Sequence, residues 1–444
     1  MVLLFSSMID SLYLYLGVYL LLLFIIPFII SRRQRREDFL IASRNRSGWQ
    51  VLASKFASGI GAGYFITYTG FAYEFGFGVF AILAGLVIGY MLFAFWAVPK
   101  IRDSSISGKF YTLGHFVFAK TKNRFSMVLA DIVSVLVLLA WLIVGMIGGG
   151  KIISYFGLMD YNTAVLLSAF VVLVYLLMAG YKAVVITDIL QSFIILALLF
   201  LVTLAIVGNE NLTMLFNAEV GPLDMGILLG FLLFGSFSSL SRIDFFQLAY
   251  ASKNKKEAIR GFSLAIIPII TVCFFLLLIG LFMFTRVSGL NTDLVFVEAL
   301  KLFLPASLLP LAIVLFFSGI MSSADTNVYG VSSHIAMYFK KGKTLLIRII
   351  TFLLLVFVAL FAILFPDVVD ISIIAGGLNL ILPIPMIYLL FNGKKEKKFI
   401  SGVISGFIGM IIGMIFMGLT PAIALPTFLF AGIGLFYPQT KKIN

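Results

Sequence analysis

Charge is what this 444-residue sequence has least of: Asp, Glu, Lys and Arg together make up 11%. Ordinary soluble domains carry about 25%. The shortage excludes a solvated globular surface. It also excludes disorder, which needs high charge and low hydrophobicity. Cysteine occurs once, at Cys273 in an apolar run, so no disulfide or thiolate metal framework is expected. Histidine occurs twice, at His115 and His334, too few for an imidazole metal centre. Ten-residue stretches of alternating hydrophobicity are missing, which argues against a membrane barrel. No nucleophile–base pair or cofactor motif stands out, so an enzyme is not expected.

Apolar side chains are abundant: 62% of residues are hydrophobic and 47 are phenylalanine. In lipid every backbone polar group must find an internal partner, which leaves helices as the spanning element. The expected fold is an all-α transmembrane bundle. About thirteen segments reach the length a bilayer requires. They lie near 10–30, 49–70, 74–98, 126–156, 162–180, 183–207, 225–250, 259–285, 304–338, 344–365, 368–391, 399–416 and 420–437.

The net charge of +13 comes from 32 basic and 19 acidic residues. In a soluble protein such an excess would point to nucleic acid. Here the basic residues sit in short loops, where they act as topology signals. Clusters after the odd-numbered segments include Arg32, Arg33, Arg35 and Arg36, then Lys253, Lys255 and Lys256, then Lys340, Lys341 and Lys343, and finally Lys441 and Lys442. The alternation predicts an outside N-terminus and a cytoplasmic C-terminus in a cell (inner) membrane. The first apolar run, followed by arginines, reads as an anchor rather than a cleaved signal. The lipid bilayer is the expected partner; neither nucleic acid nor an obligate protein partner is.

Two segments are interrupted. One contains Gly59-Ile60-Gly61-Ala62-Gly63, the other Gly235-Ser236-Phe237-Ser238-Ser239-Leu240-Ser241 followed by Arg242 and Asp244. Glycine and serine runs weaken helices, and unwound backbone at membrane depth is tolerated where it lines a cavity. Glycine-broken segments at matching positions of two halves point to a transporter site. The spacing predicts inverted repeats over 49–207 and 225–391, an extra N-terminal helix and basic loop over 1–48, and two C-terminal helices over 399–437.

Polar residues inside the apolar segments are expensive and mark function. Ser322, Asp325 and Thr326 share a helix face by their spacing. Hydroxyl and carboxylate oxygens suit a hard cation. Asp188 stands one turn into another apolar helix. Arg242, just past the second break, offers a donor fork for a solute carboxylate, or else pairs with Asp244 or snorkels. Tyr64, beside the first break, is the aromatic expected in a binding cavity. Lys55, Asp131 and Lys151 read as snorkelling residues near segment ends, and Trp49 and Trp96 as interface anchors.

These stretches resemble the sodium/solute symporter family, whose members have a LeuT-type fold. Ser322-Ser323-Ala324-Asp325-Thr326 looks like its serine/threonine-rich helix. Lys182-Ala183-Val184 with Thr187-Asp188 and Gln191 is similar to its Ala-Val-x-x-Thr-Asp-x-x-Gln segment. Ala251-Ser252-Lys253 with Glu257-Ala258 resembles its Ala-Ala-Lys-x-x-x-Glu-Ala loop, and Lys394 to Gly402, after Pro385, resembles the segment before its next-to-last core helix. The resemblance implies a 5+5 inverted repeat with two discontinuous helices. It implies sodium (Na+) held by the carbonyls of Ala57, Ile60 and Gly319 with the hydroxyls of Ser322 and Ser323. A second cation or proton site maps to Asp188, Asp325 and Thr326. A small-molecule solute would lie near Gly63, Tyr64, Ser238, Ser239 and Arg242. Leu248 follows Gln247 where the family usually has arginine, and Leu83 and Leu86 are apolar where sugar-transporting members contact substrate. The expected function is sodium-coupled symport of a small organic solute by alternating access, the solute being carboxylate-bearing, such as an amino acid, if Arg242 faces the cavity. A proton-coupled transporter of the same fold, or a non-transporting ligand sensor, is the alternative.

Overall fold

The computed structural model describes residues 2–32, 40–108, 110–178, 181–209, 224–339, 344–391 and 393–436. Several residues of the basic loops (Arg33, Arg35, Arg36, Lys340, Lys341, Lys343, Lys441 and Lys442) lie outside them.

Among the described residues every regular element is helical, and the one strand-like contact is an isolated bridge between Arg46 and Ser252. The first half of the chain supplies α1 (Val2–Ser31), α2 (Gly48–Gly59), α3 (Ala62–Phe75), α4 (Ala81–Leu92), α5 (Val98–Gly108), α6 (Leu113–Thr121), α7 (Arg124–Tyr155), α8 (Tyr161–Met178) and α9 (Tyr181–Asn209). The second half supplies α10 (Met225–Phe237), α11 (Ile243–Ala251), α12 (Lys255–Arg286), α13 (Val295–Phe303), α14 (Leu309–Tyr338), α15 (Thr344–Leu364), α16 (Val368–Asn379), α17 (Pro383–Leu390), α18 (Glu396–Met417) and α19 (Ala424–Phe436).

Among the described residues, ten helices are long and apolar enough to cross a membrane, and the bent pair Met225–Leu240 and Ile243–Ala251 raises the number to eleven. The thirteen expected segments exceed this for local reasons. The first broken segment is divided into halves of 12 and 14 residues. Its second half joins the next segment in one apolar run, Gly63–Ser105. The last apolar helical stretch, Pro421–Phe436, is shorter than a full span.

The run from Gly63 folds back on itself at Gly76, whose φ of 61° favours glycine. Packing on α12 shows the reversal. Gly261 meets Val51 of α2, and Gly280 meets Thr69 and Ala72 of α3, so α12 runs alongside the broken pair in the same direction. Against α4 the order inverts: Phe274 packs on Phe80 and Phe262 on Phe93.

Both expected interruptions are real breaks. Helix α2 opens with a reciprocal cap between Ser47 and Gln50 and stops at Ile60 (φ −106°, ψ 74°). Gly61 is extended before α3 begins. Helix α10 tightens into a 3₁₀ turn over Ser238–Leu240, and Arg242 is extended before α11, across a 41° bend. Gly235 has a packing role there: a Cβ would lie 2.5 Å from the Ile82 carbonyl oxygen, so α10 and α4 touch through their backbones.

The snorkelling reading of Lys55, Asp131 and Lys151 is corrected. Lys55 is 1% exposed and ion-paired with Asp244. Buried Asp131 accepts from Gly114 N–H at the start of α6 (2.7 Å) and from the Tyr338 hydroxyl of α14 (2.7 Å). Lys151 pairs with buried Asp293, which also accepts from Val368 and Val369 N–H, at 3.1 and 3.3 Å, at the start of α16. Each partner comes from a distant part of the chain, and a buried charge is sustainable only with such partners.

Candidate ion and solute site at the two helix breaks

Helix α14 is the most enclosed of the long apolar helices and passes beside both breaks. Successive residues turn by about 100°, so its polar residues divide between two faces.

One face meets α9, α8 and α1. Fully buried Asp188 of α9 accepts from the Ser54 hydroxyl of α2 at 2.5 Å and from the Ser322 hydroxyl of α14 at 2.8 Å. Asp325, three residues beyond Ser322, is also fully buried. It interacts electrostatically with Asp188, and Tyr175 of α8 lies against it. Thr326 Oγ1 reaches Asp325 Oδ1 at 3.4 Å, whereas Asp325 Oδ2 has no hydrogen-bond partner. Close by, Gln191 Nε2 donates to the Tyr19 hydroxyl of α1 at 3.0 Å. Two carboxylates and several hydroxyls from five helices thus converge without a cationic side chain in hydrogen-bond contact. Such an oxygen set attracts a hard monovalent cation or a proton.

The other face meets the first break. A Cβ on Gly61 would lie 1.8 Å from Ser323 Oγ and 3.2 Å from the Gly319 carbonyl oxygen. Only glycine permits this approach, which brings the unwound backbone onto α14. Ser323 Oγ donates to that Gly319 carbonyl at 3.2 Å.

Around the breaks runs a narrow cavity. Toward the first break it is lined by Gly61, Gly63, Tyr64, Trp141, Ser323 and Asn327. Toward the second, its walls include Tyr68, Phe71, Ile82, Leu86, Phe234 and Ser238. Arg242 lines both parts. Its Nε and Nη2 donate to Asp244 at 2.9 and 3.2 Å. Lys55 Nζ also contacts Asp244 and lies 3.7 Å over the Phe245 ring. The pairing of Arg242 with Asp244, which sequence spacing left open, is therefore present, and it fixes the arginine at the cavity wall.

The residues expected near a solute, Gly63, Tyr64, Ser238 and Arg242, all line the cavity; Ser239 is buried beside it without lining it. Of the residues expected around sodium, Gly319 and Ser323 adjoin the break. Ala57 and Ile60 are buried at the end of α2 and at the break itself. Ser322 is turned to Asp188 instead. Asp188 and Asp325 interact electrostatically, and Thr326 hydrogen-bonds Asp325. Sequence reading missed Ser54, Lys55, Trp141, Asn327 and Asn379, the last lining the cavity toward the second break. Asn327 was detectable, lying one turn beyond Ser323 in a polar run.

A model of the sodium:solute symporter family matches residues 39–368. A sodium/proline symporter of Staphylococcus aureus is 26% identical over 236 residues, 52% of this chain and 46% of that protein. The corresponding protein of strain Newman is 27% identical over 237 residues. The chain thus matches about half the length of these curated relatives. Among solved structures, a Na+-coupled sialic acid symporter in a substrate-bound outward-open state superimposes with TM-score 0.75 at 17% identity, over 96% of both chains. A nucleobase-cation-symport family transporter in a closed conformation gives TM-score 0.55 at 12% identity over 91% of this chain and 95% of that one. These superpositions show a shared LeuT-type fold.

Proposed function

Because the chain belongs to the sodium:solute symporter family, we propose that it imports a small organic solute with sodium by alternating access. The observation that carries this reading is the oxygen-rich contact between the first break and α14. There Gly61 closes on Ser323 and the Gly319 carbonyl, while Asp188 ties Ser54 to Ser322 on the adjoining face. One sodium ion takes carbonyl oxygens of Ala57, Ile60 and Gly319 with the hydroxyls of Ser322 and Ser323. The Ser322 hydroxyl turns from Asp188 when it does so. A second cation is drawn to Asp188, Asp325 and Thr326. The solute lies between the breaks against Gly63, Tyr64, Ser238 and Arg242, with Ser239 behind. The repeats over 49–207 and 225–391 rock about this point. The charge pattern of the loops supports an N-terminus outside and a C-terminus in the cytoplasm. The membrane potential then drives each inward sodium charge by about 2.3 kcal/mol per 100 mV.

The test is thermal unfolding of the purified protein in sodium chloride against choline chloride at equal ionic strength. A sodium-specific shift, corresponding to about 2.7 kcal/mol at a hundredfold excess over Kd, is expected in the wild type and lost in Ser322→Ala/Ser323→Ala. Its absence in the wild type overturns sodium coupling. A second reading, proton coupling, is favoured by Asp325 Oδ2, which lacks a partner. Uptake that ignores sodium and follows a pH gradient would select it.

A further inference from the structure

We infer that Tyr19 of α1 is a positioning residue for the second cation: it holds the Gln191 amide so that the Gln191 carbonyl oxygen joins the Asp188–Asp325 pair as a cation ligand. The inference rests on the proposed transport reading and extends its second site to a helix outside the two proposed repeats. Much of α1 is bare, with Val18, Leu21, Leu22 and Ile25 exposed. Leu12, Tyr19 and Leu23, spaced by seven and four residues, share its inward face and are at most 4% exposed. Docking needs only apolar bulk at these positions, and two of the three are leucines. The Tyr19 hydroxyl is surplus to that need, and a polar group at this depth is costly and marks function.

That hydroxyl accepts from Gln191 Nε2 of α9 at 3.0 Å. Its ring packs edge-on against Phe317 of α14, centroids 6.4 Å apart, and Ser318 of the same helix faces the hydroxyl. The direction of the amide is thereby set, Nε2 toward α1 and Oε1 away from it. Gln191 Oε1 has no hydrogen-bond partner, and neither has Asp325 Oδ2, although both residues are fully buried. Gln191 stands three residues beyond Asp188, on the same face of α9. Tyr175 of α8 interacts with Asp188, Asp325 and Tyr19 alike, so these groups share one buried region. Lys55 acts on Asp188 electrostatically, but its Nζ contacts Asp244. A buried acceptor left without a donor costs free energy, and one small hard cation satisfies several such oxygens at once. Without the Tyr19 hydroxyl the amide can turn over and present Nε2 to the carboxylates in the cation's place.

The test reads thermal unfolding of the purified full chain over a sodium chloride series, with choline chloride holding ionic strength constant. Two quantities are taken: Tm in choline alone, and the sodium concentration that gives half the full shift. Tyr19→Phe keeps the ring and removes the hydroxyl; it should raise the half-saturating sodium threefold or more. Gln191→Leu should raise it at least as much, and Tyr19→Phe should add nothing in that background. Leu23→Ala, a docking lesion on the same face of α1, should lower Tm in choline without moving the half-saturating sodium. Tyr19→Leu takes the place of Tyr19→Phe if the phenylalanine variant gives no folded protein. An unchanged sodium value in Tyr19→Phe, a full further rise when it is added to Gln191→Leu, or tighter sodium binding in Gln191→Leu would each overturn the inference and leave sodium coupling standing. An equal rise in Leu23→Ala would reduce Tyr19 to a docking residue and overturn it as well. No sodium-specific shift in the wild type would overturn the coupling and this inference with it.

Discussion

Helix α14 carries two opposed chemistries on one rigid rod. Toward α9 and α8 it presents Ser322 and Asp325 to Asp188 and Tyr175, a region rich in oxygen and negative charge. Toward the breaks it presents Ser323 and Asn327 to a cavity lined by Arg242, whose guanidinium shares Asp244 with Lys55. Neighbouring residues, Ser322 and Ser323, separate the two faces. The difference teaches how neighbouring positions on one helix can serve a buried carboxylate cluster on one side and a pocket walled by an arginine–carboxylate pair on the other.

The largest effect should come from removing the carboxylate on the cavity side. Asp244→Asn leaves Lys55 and Arg242 buried without the carboxylate they both contact, which costs about 3–5 kcal/mol. A sharply lower Tm, or loss of monodisperse protein, is expected, and an unchanged Tm would show that the two cations are compensated elsewhere. Next, Asp188→Asn should remove the sodium-specific stabilisation of about 2.7 kcal/mol and leave discrimination among solutes intact. Asn327→Ala should do the reverse. If both variants lose both properties, the faces do not act separately. Smaller is Gly61→Ala, whose methyl meets Ser323 Oγ and should cost about 1–3 kcal/mol by overpacking. Combined with Ser323→Ala the two losses should not add, and the coupling read from a thermal double-mutant cycle should reach about 0.5 kcal/mol or more. Smallest is Trp49→Ala, outside the comparison at an exposed position, which should change stability by no more than about 0.5 kcal/mol.

Both breaks were legible because their causes are local: a glycine run at Gly59–Gly63 and a serine run ending at Arg242. The polar face of α14 was legible from the three- and four-residue spacing of Ser322, Asp325 and Thr326. Lys55 was not, and the reason is depth. Hydropathy places the start of a segment only to within a few residues, while the break at Ile60 puts Lys55 one turn from the interior of the bundle. Nothing local names its partner, which lies 189 residues away. The same holds for Asp131, joined to Tyr338 across 207 residues, and for Lys151, joined to Asp293 across 142. Ser322 shows the complementary limit: its spacing gave the helix face, while only the packing of α9 revealed that its hydroxyl meets Asp188.

The Lys55–Asp244 pair has a mechanical consequence. Lys55 stands one turn from the C-terminal end of α2, and Asp244 lies in the first turn of α11. A helix is partially negative at its C-terminus and partially positive at its N-terminus. Each side chain therefore complements the dipole of its own half-helix while binding the other's charge. The two discontinuities are riveted together where their backbones are softest. Tilting one half-helix alone would part a buried ion pair, whereas moving both together keeps it whole. On the proposed transport reading, the rivet makes the two breaks a single hinge pin, through which a cation arriving at one acts on a solute at the other.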